Sequence, residues 1–132
     1  MLSIKWTDKF SIGVAEVDAQ HQKLFGLIEK LNESVKTSNE VRYLVNYLDE
    51  LIDYTKYHFQ SEEKIMAEKD YPKYKMHKLE HEKLTQQAAD FRNSVSEGKN
   101  IETDKFIEFL FIWLTKHIMD QDKKIGTFLQ II

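Results

Sequence analysis

Hydrophobic residues recur at alternating steps of three and four along four stretches of the chain, residues 17–35, 41–65, 74–95 and 106–117. A stripe with this spacing lies along one side of an α-helix and predicts that this side is buried. Asp18 is predicted to cap the first helix, because a side-chain oxygen at a helix start accepts hydrogen bonds from free backbone amides. In the fourth helix the residues predicted to be buried are Phe106, Leu110, Trp113 and His117.

Short polar segments separate these four helices, the first of them at residues 36–40. Short connections favour antiparallel neighbours, so the predicted fold is all-α, an up-down-up-down antiparallel four-helix bundle with a short C-terminal helical segment. Residues 1–17 lack helical periodicity and are expected to form an extended N-terminal arm anchored by Trp6. We expect one domain over residues 1–132, with the arm at 1–17 and the bundle and C-terminal segment at 18–132.

Composition and charge argue against several classes of protein. The net charge is -3 and lysines are interleaved with acidic residues, so no basic stripe for nucleic acid is expected. The longest apolar run, residues 106–114, includes Glu108 and is far shorter than the roughly 20 residues of a membrane-spanning helix. The N-terminus lacks the pattern of a secretion signal, so a cytoplasmic protein without membrane attachment is expected. Because the chain has no cysteine, any transition metal must be held by nitrogen and oxygen.

All the histidines of the chain and one glutamate fall on the predicted buried stripes. His58 and Glu62, like His77 and His81, are four residues apart, so each pair projects from one helix face. In an antiparallel bundle these residues lie within roughly two to three turns of one end. A single histidine on such a stripe is ordinarily a core residue, but burying all of them without an ion would cost roughly 1 to 3 kcal/mol for each polar group. The pattern therefore predicts a metal site formed by His21, His58, Glu62, His77, His81 and His117.

Two other metal-site patterns fit less well. The segment HKLEH, residues 77–81, matches the HxxEH signature of one class of zinc peptidase, in which Glu80 would be the general base. That interpretation leaves the remaining histidines and Glu62 without a role, and a closed bundle offers no cleft for a peptide. Di-iron bundles of the ferritin type use ExxH pairs and more carboxylates, whereas histidine dominates here.

Taken together, these spaced motifs resemble the hemerythrin family, specifically its single-domain prokaryotic form, the bacteriohemerythrins. The resemblance covers essentially the whole chain and includes IGVAEVDAQHQKLF at 12–25, HFQSEE at 58–63, HKLEH at 77–81 and WLTKHIMDQD at 113–122. It implies that one iron is held by His77, His81 and His117 and a second by His21 and His58. It further implies that Glu62, Asp122 and an oxo or hydroxo group bridge the two irons.

Asp122 is assigned by the resemblance alone. On an ideal helix Asp122 is rotated about 140° from His117, whereas Asp120 is only about 60° away. The family pattern HxxxxD favours Asp122 and implies that the helix ends or carries a bulge between Ile118 and Gln121. Asp120 is then expected to be a solvated acid.

The resemblance also implies an O2 pocket of apolar side chains, formed by Leu24, Phe59, Trp113, Leu114 and Ile118. If both irons are six-coordinate, this ligand set leaves one open position, on the iron with two histidines. No additional acid, tyrosine or histidine is expected there to protonate bound O2, which predicts reversible O2 binding for carriage, storage or delivery and not an enzyme. Two alternatives stay open, a domain that senses O2 or redox state and a di-iron enzyme acting on peroxide or nitric oxide. We expect a monomer that binds O2, with an O2-consuming or signalling protein as a candidate partner.

Overall fold

The computed structural model describes residues 5–37, 41–98 and 103–131. Its four long helices are α1 (Ala15–Thr37), α2 (Val41–Glu68), α3 (Tyr74–Ser96) and α4 (Thr103–His117). A five-residue π-helical turn, Ile118–Asp122, then leads into the short helix α5 (Lys123–Ile131). Helix α1 packs against α2 and α4, and α2 packs against α3. The prediction of an all-α four-helix bundle with a short C-terminal helix is confirmed.

The start of α1 differs from the prediction. The helix begins at Ala15, inside the range expected for the arm, and the Asp18 amide already donates to the Val14 carbonyl oxygen. The Asp18 carboxylate instead accepts hydrogen bonds from the Ile12 backbone amide, at 2.8 Å, and from the Ser11 hydroxyl. Asp18 therefore fastens the arm to the first turn of α1 and does not cap the helix.

The described part of the arm, residues 5–14, contains one 3₁₀ turn at Asp8–Phe10 and packs through aromatic rings. The Trp6 ring lies 5.4 Å from that of Phe25, centroid to centroid, in agreement with the predicted anchoring role. The arm also crosses α5 at Gly126, where an added Cβ would come within 1.8 Å of the Ile12 carbonyl oxygen. Only glycine permits this approach, so the arm and α5 brace each other beside the π-helical turn.

Helix α4 is rotated relative to the prediction. Its buried side chains are Ile107, Leu110, Leu114 and His117. Phe106 and Trp113 are half-buried at the edge of this stripe. The Phe106 ring stacks on Phe91 of α3, with ring centroids 3.5 Å apart. Aromatic residues at the edge of a helix interface follow the same three-and-four spacing as core residues. For this reason the pattern predicted that Phe106 and Trp113 are buried.

Gly98, which follows α3, has a φ of 75°, the left-handed conformation in which glycine is favoured at helix ends. Within the described ranges, no helix combines the length and the apolar character that crossing a bilayer demands. Of the polar segment predicted to break the first stripe, residues 38–40 lie outside the described residues.

Candidate metal centre

Helices α2 and α3 each contribute a pair of buried side chains one helical turn apart. On α2, the Nε2 atom of His58 lies 3.1 Å from Oε2 of Glu62. On α3, the rings of His77 and His81 stand edge to face, with centroids 4.6 Å apart. Both histidines point toward Glu62, whose Oε1 lies 3.3 Å from Nε2 of His77 and 3.1 Å from Nε2 of His81. The four-residue spacing thus places both pairs on facing sides of adjacent helices.

Helices α1 and α4 complete the cluster from the opposite side of the bundle. The Nε2 atom of His21, near the start of α1, lies 3.3 Å from the Glu62 carboxylate. His117 ends α4, and its Nε2 atom lies 3.1 Å from Nε2 of His77. All six positions selected from the helical stripes are buried and meet at one end of the bundle, as the antiparallel arrangement predicts.

Asp122 joins the cluster because the helix changes its winding after His117. The π-helical turn Ile118–Asp122 closes a wider ring than an α-helical turn, so a residue five positions on returns to the same face. Oδ1 of Asp122 lies 3.0 Å from the Nε2 atom of His117, and Oδ2 lies 3.1 Å from that of His21. Asp120 is exposed. The irregularity expected between Ile118 and Gln121 is present and places Asp122, not Asp120, in the cluster.

The seven side chains form two groups that share both carboxylates. One group contains Glu62, His77, His81, His117 and Asp122, and the other contains His21, His58, Glu62 and Asp122. Within each group the facing nitrogen and oxygen atoms lie within 4.8 Å of one another. The first group thus offers three imidazoles and the second offers two. This arrangement suits two adjacent ions with a shared pair of carboxylates.

The donor atoms of the cluster are arranged to bind metal ions and do not all satisfy one another by hydrogen bonding. Several buried site atoms have no hydrogen-bond partner among the described residues, namely Nδ1 and Nε2 of His21, Oε2 of Glu62, Nε2 of His81, Nδ1 of His117 and both carboxylate oxygens of Asp122. Such orphaned buried atoms are costly in a protein interior. Neighbouring donor atoms in the cluster lie 3.0–3.3 Å apart. Ligands about 2.1 Å from one ion and at right angles would be separated by about 3 Å, which matches this spacing.

The electrostatics of the cluster also favour cations. Burial lowers the pKa of His21, but the carboxylates of Asp122 and Glu62 outweigh this effect and raise it to about 9. The same balance raises the pKa of His77 to about 9. Burial pushes the pKa of Glu62 upward, yet His58 and its neighbours hold it well below its usual range, and the pKa of Asp122 is likewise lowered. Both carboxylates are therefore ionised near neutral pH, and metal binding would displace protons from the imidazoles.

Gln20 and Glu63, which were not predicted from the sequence, orient His58 and His81 through hydrogen bonds to the ring nitrogens that face away from the cluster. Nδ1 of His58 lies 2.6 Å from the buried Oε1 atom of Gln20, and Nδ1 of His81 lies 2.9 Å from Oε2 of Glu63. Because amide and carboxylate oxygens only accept hydrogen bonds, each ring carries its proton on Nδ1 and turns the Nε2 lone pair inward. Gln20 precedes His21 and Glu63 follows Glu62 in the chain. Consecutive residues lie on different faces of a helix, so the spacing of the buried stripe did not predict a role for either.

Of the residues predicted to line an O2 pocket, Phe59 and Trp113 contact the cluster. Leu24, Phe59, Leu114 and Ile118 are buried, and Trp113 is half-buried. The Phe59 ring stacks on His81 at a centroid distance of 3.8 Å, and the Trp113 ring stacks on His117 at 4.7 Å. The two aromatic rings thus cover two of the imidazoles, while the aliphatic side chains fill the adjacent core.

Comparisons with known proteins agree with this geometry. Residues 12–129 match the family described as "Hemerythrin HHE cation binding domain". The bacteriohemerythrin of Methylococcus capsulatus is 35% identical over 127 residues, which is 96% of this chain and 96% of that protein. A crystal structure of a leucine-to-alanine variant of a hemerythrin superposes with a TM-score of 0.90 at 32% identity, covering 98% of each chain. Wild-type hemerythrin gives a TM-score of 0.88 at 33% identity, covering 95% of this chain and 96% of that one. The chain belongs to the hemerythrin family.

Proposed function

We propose that this protein binds O2 reversibly at a di-iron centre and serves O2 carriage, storage or delivery. Membership of the hemerythrin family implies a non-haem iron site, and the nitrogen and oxygen donors of the cluster suit iron. The observation that carries the proposal is that the two donor groups are unequal. They share both carboxylates, but one group has three imidazoles and the other has two. Family membership also supports a binding protein over an enzyme.

In this proposal each residue of the centre has a definite task. His77, His81 and His117 would hold one iron, His21 and His58 would hold the other, and Glu62 and Asp122 would be shared between them. When loaded, the iron pair supplies electrons and an open coordination position for a small molecule. A small molecule would bind on the side of His21 and His58, because this group has one donor fewer.

The apolar neighbours explain why binding would be reversible. Leu24, Phe59, Leu114 and Ile118 are buried apolar side chains and have no proton to give to a bound ligand, and the Phe59 ring stacks directly on His81. The Trp113 ring stacks on His117, and together these apolar side chains would exclude water from a bound ligand. Without a proton donor, bound O2 would dissociate unchanged. Reduction of peroxide or nitric oxide, by contrast, needs protons delivered at the site. A monomeric state and an O2-consuming or signalling partner stay predictions.

Repeated exposure of the reduced protein to air and argon tests the proposal. We expect a visible charge-transfer band to appear in air, to disappear under argon and to return over several cycles. Metal-free protein carried through the same cycles is the control and should show no band. A band that persists under argon would mean irreversible oxidation and would contradict reversible binding.

Leu114→Tyr is expected to shorten the lifetime of the oxygenated protein. Leu114 is buried in the same core cluster as Leu24, which lies one helical turn from His21, so a tyrosine there would bring a hydroxyl group, or a water that it recruits, toward the open position. We expect the rate of autoxidation to rise about tenfold, less than the roughly 100-fold or more from a proton donor in an optimised position. The decay of the charge-transfer band in air measures this rate.

Leu114→Phe is the matched control, because it adds a ring of similar size without the hydroxyl group. Its oxygenated form should decay at a rate close to that of the unmodified protein. Equal acceleration by both variants would attribute the effect to ring size and would contradict the role assigned to the missing proton donor.

A further inference from the structure

A cavity of about 30 Å³ lies in the bundle core, on the side of the metal cluster that faces the opposite end of the bundle. Its near wall includes Leu24, Phe59 and Leu114, and its far wall includes Leu48, Ala88 and Leu110. Leu114 and Phe106, which both line it, are separated by two turns of α4, about 12 Å. The lining of the cavity thus includes residues well away from those that adjoin the metal ligands. We call it the core cavity.

The walls of the core cavity are apolar. Thr55 is the one lining residue with a polar side chain, and its hydroxyl group donates to the Leu51 carbonyl oxygen at 2.7 Å. A buried water needs two to four polar partners, and the lining residues do not provide them. The space is nevertheless larger than the roughly 10 to 15 Å³ that a molecule the size of water requires. A cavity of this kind stays dry and accepts small apolar molecules.

The core cavity and the expected O2 pocket share part of their lining. Leu24, Phe59 and Leu114 belong to both, and the Phe59 ring that lines the cavity also stacks on His81 of the cluster at a centroid distance of 3.8 Å. O2 is itself small and apolar, and it partitions into apolar surroundings. An empty space here reduces the van der Waals contacts in the centre of the fold and so lowers stability. Core residues such as Leu31 and Leu48 are almost fully buried.

We propose that the core cavity is a second docking site for O2, separate from the metal centre and able to hold a molecule beside it. This inference rests on the proposed function for the identity of the gas, but the site itself is defined by the apolar lining alone. A docked molecule raises the local concentration of O2 next to the open position.

Xenon is the probe that tests the site, because it is apolar, similar in size to O2 and detectable by anomalous scattering. Crystals of the iron-loaded protein pressurised with xenon should show a xenon atom between Leu48, Ala88 and Leu110. An empty core cavity under xenon pressure would overturn the proposal, whatever the air and argon cycles show.

Ala88→Leu and Ala89→Leu form a matched pair of variants on α3. Ala88 lines the core cavity, whereas the adjacent Ala89 is half-buried and lines an open surface cleft. We expect Ala88→Leu to lose the xenon site and to associate with O2 more slowly in stopped-flow mixing, and Ala89→Leu to retain both properties. Loss of xenon without any change in O2 association would overturn the role in O2 binding.

The two proposals fail in different ways. Xenon in the core cavity together with an irreversible charge-transfer band would overturn O2 carriage and leave an apolar gas site standing. Reversible O2 binding with no xenon would overturn the docking site and leave O2 carriage intact. Because the first crystals need no substitution, the result does not depend on whether the Ala88→Leu variant folds.

Discussion

Asp122→Ala is expected to remove most of both metal ions from the protein. Oδ1 of Asp122 lies 3.0 Å from the Nε2 atoms of His77 and His117, and Oδ2 lies 3.1 Å from that of His21, so this carboxylate faces both groups. In the proposed di-iron centre, its loss would remove one oxygen donor and one of the two buried carboxylate charges that each ion shares. The remaining imidazoles then face one another, at a cost of roughly 1 to 3 kcal/mol for each buried group left unpaired. Metal analysis of protein purified without added metal measures the effect.

Asp120→Ala provides the matched control for this experiment. Asp120 belongs to the same π-helical turn but is exposed, so its removal should leave the metal content and the melting temperature unchanged. Circular dichroism of both variants establishes that the helices persist. Full metal content in Asp122→Ala, combined with a loss in Asp120→Ala, would reverse the assignment of the bridging carboxylate.

His21→Ala is expected to lower the metal content selectively, toward a single ion per chain. His21 and His58 are the imidazoles of the smaller donor group, so the substitution leaves that group with one imidazole and two shared carboxylates. The larger group keeps all of its donors. Iron binds imidazole and carboxylate ligands with affinities that fall as donors are removed, so the depleted position empties first. Metal stoichiometry during titration with a chelator distinguishes one retained ion from two weakened ones.

His117→Ala is the comparison variant, because it removes an imidazole from the larger group. That group keeps two imidazoles, the number with which the smaller group begins. The variant should therefore retain more metal than His21→Ala under the same conditions. Full occupancy in His21→Ala, or a greater loss from His117→Ala, would count against the division of ligands proposed for the two ions.

Most of the cluster was predictable because the bundle geometry follows from residue spacing. His58, Glu62, His77 and His81 occur as pairs four residues apart, and antiparallel packing brings the ends of α2 and α3 together. His21 and His117 follow from the same argument applied to α1 and α4. Helical periodicity and the up-down order of the helices were sufficient for these residues, since each lies on a regular stripe.

Asp122 shows where regular spacing stops being informative. An ideal helix directs Asp122 away from His117, and only the family pattern selected it in advance. The structure supplies the physical reason, because the chain widens into a π-helical turn at Ile118–Asp122. That turn is braced by contacts distant in sequence, with Ile125 packed against Met66 and Tyr71 and Gly126 against the arm. No local rule for α4 contains this information.

The outer partners of the histidines and the rotation of α4 were missed for a related reason. Gln20 and Glu63 meet His58 and His81 across helix interfaces, so their roles depend on how neighbouring helices are rotated. The error for Trp113 has the same origin, because a ring at the edge of an interface obeys the spacing expected of a core residue. Helical periodicity defines a stripe to within about one position, and packing selects the residues at its centre.

The amino-acid sequence by itself determined the helices, their antiparallel order, and the gathering of the histidines and Glu62 at one end of the bundle. These properties follow from the spacing of residues within each helix and from the lengths of the helices and loops, and both can be read from short stretches of sequence. The tertiary structure alone decided the winding that brings Asp122 to His21, the partners on the outer nitrogens of His58 and His81, and the core cavity between the four helices. Each of these results from the fit between surfaces of separate helices, and small rotations of one helix against another change such a fit without altering any local pattern.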